Sequence, residues 1–74
     1  MIPLGLYRHF KGGLYIVESL VMNCTNNKHD AVYVLYWSVK LGPGKKFVRD
    51  LEEFTESVRW EDGSKHPRFI QEIL

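Results

Sequence analysis

Apolar and polar residues alternate along this chain in short runs broken by glycine, proline and asparagine, the period of β-strands rather than of helices. Gly5 to Phe10 suits a short first strand, with Pro3 before it, where a missing backbone donor is tolerated at an edge or strand start. Leu14 to Asn23 reads as a longer second strand. Its residues Tyr15, Val17 and Val21 fall on one face and Ile16, Glu18, Leu20 and Met22 on the other. Ala31 to Trp37 is the most β-prone run and is apolar on both faces, which predicts the central strand. Lys46 to Arg49, Thr55 to Trp60 and Pro67 to Ile73 supply three further strands, and Asp50-Leu51-Glu52-Glu53 has the spacing of a helix N-cap with a reciprocal Glu, enough for one helical turn.

The turns between these runs have identifiable chemistry. Gly12-Gly13 provides the positive φ that a tight reversal needs, and the resulting hairpin brings Tyr7 and Tyr15 together. Asn26 to Asp30 is a turn cluster, Gly42-Pro43-Gly44-Lys45 matches a type II turn with positive φ expected at Gly44, and Asp62-Gly63 signals a hairpin. Short strands, close turns and one helical turn predict an all-β fold: a small SH3-like barrel, or a strongly bent antiparallel sheet of five to six strands. There is no internal repeat or linker, so residues 1–74 read as a single domain.

Composition narrows the classes. Ten aromatic residues exclude a disordered segment, and a chain of 74 residues builds one small core. The lone Cys24 excludes a disulfide scaffold and points to a reducing cytoplasm, with the thiol expected half-buried and inert. No apolar run approaches the ~18 residues of a membrane helix, and no signal peptide is evident, so a soluble protein without membrane partners is expected. The net charge of +1 argues against a general nucleic-acid coat, yet residues 1–49 carry +5 and residues 50–74 carry −4, leaving a basic face open as a question of folding.

Tyr7-x-His9-Phe10-Lys11-Gly12-x-x-Tyr15-x-Val17 resembles the opening motif of a small bacterial family catalogued as a domain of unknown function. The resemblance implies a compact domain of about this length and no stated reaction. Phe47-Val48-Arg49 followed by Phe54 is similar to the family's later motif, with Asp50 where proline is usual, and Pro67-Arg68-Phe69 is similar to its ending. The chain departs from the family after the second strand, where Asn23-Cys24-Thr25-Asn26 replaces a His-Ser-Glu-Thr-like stretch and removes an imidazole and a carboxylate.

Candidate chemistry therefore concentrates on Tyr7, His9, Lys11, Arg49 and Arg68 as a ligand-binding surface. His9 beside Lys11 suits anion binding or proton transfer near neutral pH, and Arg49 leaves its strand near the helical turn with a bidentate donor fork. Tyr7, Tyr36 and Trp37 are expected to be partly exposed, as platforms for bases or peptides beside the cations. The three His and one Cys show no zinc-ligand spacing, and Cys24 with His29 makes no nucleophile pair. Gly42 to Lys46 lacks the phosphate-loop pattern, and Glu52, Glu53 and Glu56 read as a solvated face. Neither a metal nor a cofactor is expected. The chain reads as a binding module for a small anion, a peptide or a single-stranded nucleic acid. The alternatives are a small nucleotide-processing or hydrolytic accessory enzyme using His9, and a structural homodimer packed through Tyr33 to Trp37.

Overall fold

The computed structural model describes residues 1–24 and 31–73. Seven strands and one short helix follow in the order β1 (Gly5–His9), β2 (Leu14–Met22), β3 (Val32–Ser38), β4 (Lys46–Asp50), α1 (Leu51–Thr55), β5 (Ser57–Arg59), β6 (Lys65–Pro67) and β7 (Phe69–Gln71). Five of them make an antiparallel sheet in the order β4-β3-β2-β1-β7, and β5 pairs with β6 separately. The sheet is open, with β4 and β7 as its edges, so the expected all-β fold takes the form of an antiparallel sheet and no barrel closes among the described residues. The edges are short, which limits their use as templates for further strands.

The central strand is β2, flanked by β1 and β3, not the apolar run of β3. The predicted last strand is divided instead of continuous: Lys65–Pro67 turns back on β5, while Phe69–Gln71 joins β1, and Arg68 is the corner between them. Thr55 ends the helix, its hydroxyl donating to the Leu51 carbonyl, so the fifth strand begins only at Ser57. Asp50 caps the helix by accepting from the Glu52 N–H at 2.8 Å, but Glu53 pairs with Arg49 in place of completing a reciprocal cap. The Asn26 to Asp30 cluster lies outside the described residues.

Two hairpins share one loop design. In the first, the Gly12 N–H donates to the His9 carbonyl and the His9 N–H to the Gly13 carbonyl, with Gly12 at φ 102°. In the second, the Gly63 N–H donates to Trp60 and the Trp60 N–H to Ser64, with Gly63 at φ 88°. Each is a three-residue loop ending in a left-handed glycine. Between β3 and β4, positive φ falls on Gly42 and not Gly44, because the Gly42 N–H turns back to the Ser38 carbonyl before Pro43 begins the reversal.

The core lies on one face of the sheet. Tyr7, Val17, Val34, Tyr36, Phe54 and Phe69 are buried, and Phe54 of α1 is inserted between the rings of the sheet. It stacks on Phe69 with centroids 4.0 Å apart and meets Tyr7 and Tyr36 edge-on at 5.6 and 5.4 Å, arrangements that aromatic quadrupoles favour. The expected exposure of Tyr7 and Tyr36 is therefore overturned. Tyr7 opposes Tyr15 as expected, but its ring faces the helix and its hydroxyl donates to the Pro3 carbonyl at 2.6 Å. Trp37, on the opposite face, is half-buried. Cys24 is exposed, not half-buried, since it follows the end of β2. A bulge between Val17 and Ser19 shifts the pairing with β3, so Leu20 returns to the core face opposite Val34 and Val21 faces outward.

Candidate functional site

Phe69 carries the site on its upper edge. His9 follows it across the β1–β7 pairing, and the imidazole meets the Phe69 ring edge-on at 4.8 Å and the Phe10 ring at 4.6 Å. Arg49, at the end of β4, brings its guanidinium carbon 6.0 Å from the Phe69 centroid, while Arg68, at the corner, lies 5.9 Å from Phe10 and Lys11 Nζ 5.7 Å from the same ring. Residues from three separated segments thus converge: His9 and Lys11 of the first hairpin, Arg49 and Arg68 gather above the aromatic core. Tyr7 does not join them, because it is part of that core. Arg8 points to the other face, where it pairs with Glu72.

The two arginines are held in the same way. Arg49 donates from Nε to the Tyr36 hydroxyl at 3.2 Å and from Nη1 to Glu53 at 2.5 Å. Arg68 donates from Nε to the Glu53 carbonyl at 3.1 Å and from Nη2 to Glu56 at 2.7 Å. In each, a neutral acceptor fixes the inner nitrogen and an exposed carboxylate holds an outer one. The Tyr36 hydrogen bond, with the Glu53 charge, holds the Arg49 proton more firmly than usual. Ion pairs to exposed carboxylates contribute only ~0–1 kcal/mol, so the outer positions exchange cheaply while the inner ones keep the guanidinium oriented.

His9 is tuned by the same neighbours. Its Nδ1 accepts from the Lys11 N–H at 3.1 Å, which puts the proton of the neutral ring on Nε2. Partial burial lowers its pKa below the ordinary value, and Arg49, Arg68 and Lys11 lower it further, so the ring is neutral at pH 7 and presents an N–H donor. Among the described residues no carboxylate hydrogen-bonds this imidazole, so the acid that would orient a catalytic base is not supplied by them.

Two concavities border the cluster. On the helix side a groove of about 650 Å³ is lined by Asp50, Glu52, Glu53, Glu56, Tyr33 and Arg68. Three of these carboxylates are already employed, Asp50 as the helix cap and Glu53 and Glu56 against the arginines. No group of three or more His, Cys, Asp or Glu among the described residues is arranged to hold a metal ion. On the hairpin side, a cleft of about 480 Å³ separates Phe10 and Lys11 from Arg59, Trp60 and Glu61. Sequence reasoning missed this second cleft. Its available signal was the repeated loop pattern, an aromatic at the first hairpin and Trp60 at the second, each beside a cation.

The family model described as "Protein of unknown function (DUF1653)" matches residues 5–71, which include every residue of the cluster. The chain belongs to this family. A crystal structure of a DUF1653 protein from Bordetella bronchiseptica superposes with a TM-score of 0.77 at 28% identity, covering 99% of this chain and 92% of that one. The comparison with curated proteins found no match. The DUF1653 fold is thus shown for this chain, and the end of β1, the end of β4 and the corner before β7 contribute His9, Arg49 and Arg68 to one place.

Proposed function

We propose that this DUF1653 domain is a binding module that takes an anionic group, a phosphate, sulfate or carboxylate, above Phe69 between His9, Lys11, Arg49 and Arg68. The observation that carries the reading is the pair of arginines with anchored Nε atoms and exchangeable outer partners. An incoming dianion displaces Glu53 and Glu56 into solvent and receives charge-assisted hydrogen bonds from guanidinium groups that are already oriented. His9 Nε2 and Lys11 Nζ supply further donors. The acidic groove repels an anion on the helix side, so approach is from the side of Lys11, which is in no ion pair among the described residues. The enzyme alternative rests on His9 alone, and its Nδ1 is occupied by a backbone donor. A reducing compartment such as the cytoplasm suits the exposed lone thiol.

Sulfate, whose charge does not change near neutral pH, is the probe. In an amide and side-chain shift titration at low salt, His9, Lys11, Arg49 and Arg68 should move together and Arg49→Gln should abolish the concerted response. Equal movement of Lys40, Lys45 and Lys65 would mean diffuse screening and remove the reading. The homodimer alternative uses the opposite face of the sheet, where Val48, Val21 and Ile70 are exposed; sedimentation as a monomer at millimolar concentration excludes it.

A further inference from the structure

The cleft between the two hairpins shares Lys11 with the anion cluster and adds Phe10, Arg59 and Trp60, which the cluster does not use. Phe10 and Trp60 both line it, and both are half-buried. The indole is fixed, because Trp60 Nε1 donates to the Pro67 carbonyl at 3.0 Å and His66 packs edge-on against it. A ring held in this way presents a surface without losing further side-chain freedom on binding. Cations flank it on both sides. Arg8, Lys46, Arg49 and Arg68 have carboxylate partners. Lys11 and Arg59 have none among the described residues, and both line this cleft. Arg59 is oriented by its own loop, donating from Nη1 to the Gly63 carbonyl at 2.6 Å, which satisfies one donor and leaves its charge uncompensated.

We propose that this cleft, continuing from the anion cluster across Phe10, is a single-stranded nucleic-acid site: an unpaired base stacks between Trp60 and Phe10, and flanking phosphates lie on Lys11, Arg59 and Arg68. The inference rests on the anion-binding reading for the phosphate at Arg68 and adds the base platform. Fixed aromatic faces beside unpaired cations are what sequence-tolerant strand binding uses. The volume lies within the roughly 300–1,000 Å³ of small-ligand clefts, room for a nucleotide. A peptide added as a strand pairs along several residues of a sheet edge, and of the residues lining the cleft only Arg59 belongs to a strand. The single carboxylate in the lining, Glu61, is outnumbered by the two free cations.

The test uses the whole protein carrying Trp37→Phe, so that Trp60 is its only indole. A thymidylate hexamer should quench Trp60 emission, with affinity falling as salt rises by about 0.7 log units per log unit of salt for each phosphate contact. Inorganic tripolyphosphate should shift the His9, Arg49 and Arg68 resonances and leave the emission unchanged. Trp60→Leu should weaken hexamer binding about fivefold to 150-fold without altering tripolyphosphate binding. Arg59→Gln, which keeps the indole in place, should weaken the hexamer and flatten its salt dependence. Hexamer binding without quenching, or unaffected by Trp60→Leu and Arg59→Gln, overturns the base platform and leaves the anion module standing. A hexaglutamate peptide that binds as tightly as the hexamer overturns the nucleic-acid assignment in favour of an acidic peptide. Failure of tripolyphosphate as well as the hexamer removes the anion module and this inference together.

Discussion

On the covered face of the sheet, Tyr36 is buried among Phe54, Phe69 and Tyr15, with its hydroxyl against Arg49; on the open face, its neighbour Trp37 is half-buried, opposite Ile16 and Lys46. Adjacent residues of one strand thus serve opposite sides. The covered face ends in the cation cluster, where Arg49 rests over the Phe69 ring and donates to the Tyr36 hydroxyl, and Arg68 rests over Phe10 and donates to the Glu53 carbonyl. The open face carries Leu6, Ile16, Leu35, Trp37 and Val48, with the Lys46–Glu18 and Arg8–Glu72 pairs spread over it. Similar apolar content therefore has different consequences. Where a helix closes it, apolar surface becomes a rigid platform for charge; where nothing among the described residues closes it, it remains a wall.

The largest difference between the faces should appear on removing the rings that close them. Phe54→Ala should cost about 3–5 kcal/mol in urea unfolding, while Trp37→Ala should cost less than half as much. Equal losses would mean that the open face is covered in solution, and a concentration-dependent loss at Trp37 would name a second copy as the cover. Next, Tyr36→Phe removes the acceptor of Arg49 Nε while keeping the ring; a loss of about 1–2 kcal/mol together with weaker sulfate binding is expected. Loss of stability alone would separate the core from the site.

A smaller effect concerns pH. The folded-state pKa of His9 is depressed, so the unfolded chain binds the proton more readily. The contribution of His9 is therefore fully present above its unfolded pKa of about 6.5 and is lost as pH falls from there through the lowered folded value. His9→Gln should flatten the stability profile in that window, and sulfate, by adding an opposite charge, should raise the His9 pKa in an NMR titration. The smallest change is expected at Val48, which is 60% exposed on the open face. Val48→Thr should stay within about 0.5 kcal/mol of the parent by thermal unfolding.

Strand positions and turns were largely legible in the sequence because they depend on local chemistry: glycine at positive φ, Asp50 as a cap, alternation within each run. The assignment of faces was not. Val34, Tyr36 and Ser38 on one side of β3 and Tyr33, Leu35 and Trp37 on the other are both apolar enough to be core, and the insertion of Phe54 decides between them. That contact joins segments far apart in the chain, so no window of residues contains it. The same reasoning explains Tyr7, taken for a platform because of its basic neighbours although it shares the covered face with His9. His9, Lys11, Arg49 and Arg68 were recognisable as candidates from their motifs, whereas Trp60 and Arg59 were passed over as parts of a plain hairpin.

The pairing of β1 with β7 has a temporal consequence. It joins the two ends of the described fold, with Tyr7 opposite Gln71 and His9 opposite Phe69, so β7 can dock only after the chain through Gln71 has been synthesised. Until then Phe54 lacks its stacking partner and Arg68 is not yet beside His9. A growing chain therefore passes through a stage with its first four strands made and no competent site. Maturation of the core and assembly of the cation cluster become one event, and clipping the chain before Arg68 should reverse both at once.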